Sequence, residues 1–114
     1  LLFAEKVFLP LPYDFDMTGW VNPSYGFGNP TLDLKSLTER RYRGFKRDQE
    51  VYENVRNQFI ETKDQITSLV KSFELQFDSK KQYETMFSFM EEFFEIIEDD
   101  NKFKKFILDQ ARTK

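Results

Sequence analysis

The chain has 114 residues, enough for one small domain, and a net charge of −3 that does not call for nucleic acid. It has no Cys and no His, which excludes disulfides, thiolate metal sites, Ser-His triads and most zinc sites. Chemistry is left to carboxylates, Lys, Arg, Tyr and hydroxyls, while 14 Phe, five Tyr and one Trp make an aromatic load large enough to suggest a partner surface.

No apolar run reaches transmembrane length, so no membrane partner is expected. The start, Leu1-Leu2-Phe3-Ala4, has no initiator Met and is too short for a signal peptide, which suggests a piece of a longer protein. Residues 1–4 and 7–13 are apolar, β-prone runs around Glu5-Lys6, and a tight hairpin is expected. Pro10 and Pro12 cannot donate ladder bonds, so the second strand should be an edge or bend near its end.

That run delivers Asp14 and Asp16. Side chains two apart on a strand share a face, so both carboxylates can converge on one hard cation while Phe15 anchors the other face. Gly19 would then let the backbone turn sharply away. The alternative is a capping or turn role, since Asp bonds its own backbone in turns.

Residues 18–35 read as a long loop, punctuated by Gly19, Pro23, Gly26, Gly28 and Pro30 and carrying Trp20, Tyr25 and Phe27. A first helix is expected with Ser36 as N-cap, Glu39 completing a capping box, and a break near Gly44. A second should span 48–73, with Val51, Tyr52, Val55, Phe59, Ile66, Leu69, Val70 and Phe73 as its apolar stripe. A third should start after Asp78 or Ser79 and run to Glu98, apolar over more than one stripe. The triplet Asp99-Asp100-Asn101 should cap a fourth, with Phe103, Phe106, Ile107 and Ala111 inward.

The segment 35–47 is basic and 74–100 acidic. Arg40, Arg41, Arg43, Lys46 and Arg47, interleaved with Tyr42 and Phe45, are candidates for binding phosphate or single-stranded nucleic acid; the plainer reading is a basic helix attracted to the acidic one. The sequence thus predicts a mainly α (α+β) fold: residues 1–17 a hairpin ending in Asp-x-Asp, 18–35 a loop, 36–114 three to four helices. Self-association, through the third helix or the open hairpin edge, is expected from the aromatic excess.

Two stretches carry a resemblance. Leu11-Pro12-Tyr13-Asp14-Phe15-Asp16-Met17-Thr18-Gly19-Trp20-Val21-Asn22 and Leu37-Thr38-Glu39-Arg40-Arg41-Tyr42-Arg43-Gly44-Phe45 resemble a family of uncharacterised, often exported, bacterial proteins. Its pattern is Pro-Tyr-Asp-Phe-Asp, Ser/Thr-Gly, Val-Asn, and later Arg-x-Arg-x-x-Arg-Gly-Phe. Here Glu39-Arg40 stands where that family has Arg-Glu or Arg-Asp, and Lys46 replaces a Cys that often follows. That family distantly resembles the CotH-like atypical kinases, where the first Asp of a strand-end Asp-x-Asp occupies the Mg²⁺-holding position of the kinase fold.

The resemblance implies that Asp14 is a metal ligand, that Asp16 is a second, water-mediated one, and that Arg40 or Arg43 pairs with Asp16 or with phosphate. It also implies Mg²⁺ with ATP in the parent protein, an exported location, and an upstream portion of the same protein as partner. The chain would then be the C-terminal fragment of a kinase-like phosphotransferase, inactive on its own. The competing expectation is a helical interaction or assembly module without chemistry.

Overall fold

The computed structural model describes residues 18–113, Asp14, and the backbone of two strands, β1 (Leu2–Ala4) and β2 (Val7–Leu9). The strands lie antiparallel with Leu2 opposite Leu9 and Ala4 opposite Val7. Their connecting turn, their side chains and the run from β2 into the acidic pair fall outside the described residues, and the expected hairpin with them.

The described chain is mainly helical: α1 (Gln49–Lys71), α2 (Lys80–Glu98) and α3 (Asp100–Phe106). Local signals fix their ends. Ser79 Oγ accepts from the Gln82 amide at 3.2 Å, so α2 starts where the serine satisfies an orphan N–H. Asp99 ends α2 in an extended conformation, and its Oδ1 accepts from the Lys102 amide at 2.8 Å to open α3. One aspartate therefore sets the elbow between two helices.

α2 is the centre of the fold. Tyr83, Met90, Phe94 and Ile97 are buried on it, joined by Val70 of α1 and Phe103 of α3. The α1 stripe is covered only in part: Val51, Val55, Phe59, Leu69 and Phe73 stay exposed. One helix neighbour on one side hides a narrower band than the apolar face α1 carries. The face of α3 is also narrower than expected. Phe103 is inside, but Phe106 is 37% exposed, because α3 ends there and gives way to a 3₁₀ turn at Leu108–Gln110.

The first expected helix is absent. Residues 39–47 form an extended strap instead. The capping box does not close: Glu39 Oε1 accepts from the Lys35 amide at 3.0 Å, and Ser36 Oγ faces Thr38 Oγ1 at 2.9 Å. From Glu39 to Phe45 exposure alternates residue by residue, with Arg40, Tyr42 and Gly44 turned inward. That is the period of a strand, not a helix.

The bonds a helix would keep within itself go to other elements. The Tyr42 amide donates to Gln110 Oε1 at 3.1 Å. The Lys46 amide donates to the Arg112 carbonyl at 2.7 Å, and the Arg112 amide to the Gly44 carbonyl at 2.9 Å, a parallel bridge between Phe45 and Arg112. Tyr52 of α1 closes the strap by donating its hydroxyl to the Phe45 carbonyl at 3.2 Å. Burial, then the hydrogen bond with Tyr52, raises the Tyr42 phenol above its ordinary pKa. Tertiary contact outweighs the helix propensity of the arginines.

Candidate functional site

Asp14 is exposed and sits at φ 59°, in the left-handed region. Asp tolerates that region because its short side chain bonds locally. β2 ends at Leu9, so Asp14 is not on an extended strand. The two-residue alternation expected to bring its carboxylate beside that of Asp16 therefore does not apply at this position. Asp16 lies outside the described residues.

The segment leaving the acidic pair is anchored on α2. Thr18 starts a tight turn whose carbonyl accepts from the Val21 and Asn22 amides at 3.1 and 3.0 Å. The left-handed residue of that turn is Asn22, at φ 45°; no described glycine has a positive φ. Gly19 lies inside that turn without a positive φ, and its missing side chain serves close approach. A Cβ there would press on the Leu37 carbonyl and come within 2.7 Å of the Phe89 ring.

Phe89 also receives the strap. The Arg40 guanidinium lies 3.7 Å above its ring centroid. Arg40 donates one hydrogen bond to the Phe89 carbonyl and a second, at 2.9 Å, to Glu92 Oε2. The basic segment thus meets acidic α2 as its charge suggested, but through one arginine on an extended strap. Arg40 is engaged by Glu92 and Phe89, and Asp16, its other expected partner, lies outside the described residues. Arg41 and Arg43 alternate outward to solvent. Phe89 reads in sequence only as a widening of the α2 stripe, but it is the residue on which loop and strap converge. An aromatic off the main stripe of a well-buried helix is the signal for such a second contact.

Beside Phe89 runs an apolar trough. One cavity of about 380 Å³ is lined by Trp20, Arg40, Phe59, Ile66, Phe89 and Phe93. A wider one of about 970 Å³ is bounded by Trp20, Asn22, Leu69, Phe73, Met86 and Phe89. They share Trp20 and Phe89, so the loop residue Trp20 forms one wall and α1 and α2 the others.

No group of three His, Cys, Asp or Glu among the described residues is placed to hold a metal. Among the described residues, no helix is long and apolar enough to cross a membrane. No protein-family model, curated protein or solved structure matches this chain.

Proposed function

We propose that this chain is the helical C-terminal part of a metal-dependent, kinase-like phosphotransferase. Its acidic segment, held by Asp14 and Asp16, would carry Mg²⁺ and the phosphates of ATP. The observation that carries the reading is the anchoring of Gly19 and Arg40 on Phe89. It ties the chain that leaves the acidic pair to the central helix. A site that positions a cation needs its carboxylates on a held backbone.

The donor set fits. Mg²⁺ takes one or two protein carboxylates and fills its shell with water and phosphate oxygens, so a third acidic side chain is not required. When bound, the ion would neutralise charge on the transferred phosphoryl group. The chain's own part is to present Asp14 to solvent, which its exposure allows, and to hold the following turn still. Arg40 acts here as a positioning residue.

The test is phosphotransfer by the longest natural protein that contains this chain. Asp14→Asn should abolish Mg²⁺-dependent activity, and Asp16→Asn should weaken it. Arg43→Ala, on the exposed side of the strap, should change it little. Nucleotide and Mg²⁺ binding unchanged in Asp14→Asn would overturn the assignment.

A helical interaction module without chemistry is the second reading, favoured by the open trough beside Trp20 and Phe89. It predicts no Mg²⁺-dependent activity in any variant.

A further inference from the structure

The uncovered part of α1 has an internal symmetry. Phe59, on the side toward α2, and Ile60, on the far side, are exposed at 41% and 37%; the exposed apolar residues of the face between are Val51 at 48%, Val55 at 48%, Leu69 at 61% and, just past the helix end, Phe73 at 44%. With half-buried Thr62 they form a single row, because at about 100° per residue all five fall within about 40° of one another around the axis. The row is palindromic about Thr62. Val55 and Leu69 lie seven residues to either side of it, Val51 and Phe73 eleven. Thr62 Oγ1 is turned back onto the Gln58 carbonyl at 2.7 Å, so the central residue satisfies its hydroxyl within its own helix.

We infer that this row is the contact between two copies of the chain, with the two α1 helices antiparallel and crossing at Thr62. A two-fold interface requires that residue i meet j while j meets i. Here that pairs Val55 with the second copy's Leu69, and Val51 with its Phe73.

The flanks agree with a second copy as occupant. On the open side the row is bordered by Asn54, Gln58, Gln65 and Ser72, which are uncharged. A charged partner would find no counter-charge there, whereas an identical edge meets no like charge. The basic residues on the other side are already used within the chain. Arg56 pairs with Asp100 at 2.7 Å and Lys63 with Glu98 at 2.6 Å. The contact is a third choice beside the two expected from sequence: the third predicted helix, α2, buries its main face inside the fold, and the side chains of the hairpin edge lie outside the described residues. It is also independent of the phosphotransferase reading.

The chain has no Cys, so single cysteines report the pairing directly. A short bis-maleimide should join Thr62→Cys to itself, and should join Val55→Cys to Leu69→Cys when the two variants are mixed. Val55→Cys alone should stay unlinked. Leu69→Glu should weaken dimerisation at least tenfold by light scattering while leaving the helical circular dichroism signal unchanged. Three results would each overturn the inference: a monomer at several hundred micromolar, cross-linking of Val55→Cys to itself without mixing, or a dimer that survives Leu69→Glu. A monomer whose Leu69→Cys thiol is also blocked to reagent would place another part of the protein on the row.

Discussion

Arg56→Ala should destabilise the fold by about 3 kcal/mol and lower its melting temperature by roughly 10–15 °C. Arg56 stands on α1, but its bonds go to the elbow between α2 and α3. Its Nε donates to the Ile97 carbonyl at 2.5 Å, and Nη2 donates to the Glu98 carbonyl at 3.3 Å and to Asp100 Oδ1 at 2.7 Å. The guanidinium lies 4.6 Å from the Phe103 ring centroid, and the side chain is only 11% exposed. The last carbonyls of α2 have no partner within their helix, and a cation is favoured there. Removing Arg56 leaves the part-buried Ile97 carbonyl without its donor and uncouples three helices at once.

Urea and thermal unfolding of two companion variants isolate the cause. Arg56→Lys should recover only part of the loss, since an ammonium cannot reproduce the planar fork. Asp100→Asn should cost less than about 1 kcal/mol, because an exposed ion pair contributes little, and Asp100 is 89% exposed. If Asp100→Asn matches Arg56→Ala, the ion pair and not the carbonyl cap holds the elbow.

Phe94→Ala should cost about 4 kcal/mol, the range for removing a buried aromatic ring. Phe94 is 3% exposed and meets Phe93 edge-on at 5.4 Å, with the Lys63 ammonium 5.5 Å from its ring centroid. Phe106→Ala, one of four inward positions expected from sequence on the last helix, should cost clearly less, about 1–2 kcal/mol, because Phe106 is already 37% exposed and lies outside the buried core. Equal losses from the two in urea titrations would mean that α3 packs further along than the structure places it.

The pattern of what was legible follows from where each signal is local. α1, α2 and the Asp99 elbow could be read because long apolar periodicity and side-chain caps belong to their own segments. The strap could not. Ser36 and Glu39 spell a capping box, and only Phe89, Gln110 and Arg112, distant in sequence, favour the extended form. The alternation of Arg40, Tyr42 and Gly44 was present in the chain, but with charged residues at both phases its polarity does not distinguish inside from outside. Arg56 and Lys63 were indistinguishable from solvated charges until α2 and α3 supplied their carbonyls and carboxylates.

The candidate site divides in the same way. Asp14 was singled out by its neighbours in sequence, but its left-handed backbone is not something that alternation anticipates. Gly19 was noted for flexibility, and its packing role needed the Phe89 ring from 70 residues further along.

The claim that α2 braces a cation-holding acidic segment is tested most directly by Mn²⁺ added to the isotope-labelled 114-residue chain at millimolar concentration. The ion binds carboxylates as Mg²⁺ does and broadens nearby NMR signals. The account predicts selective loss of the Asp14, Asp16, Thr18 and Gly19 amides and weaker broadening of the Phe89 ring, all absent in Asp14→Asn. Broadening confined to the acidic surface of α2 around Glu91, Glu92 and Glu95, unchanged by Asp14→Asn, would contradict it.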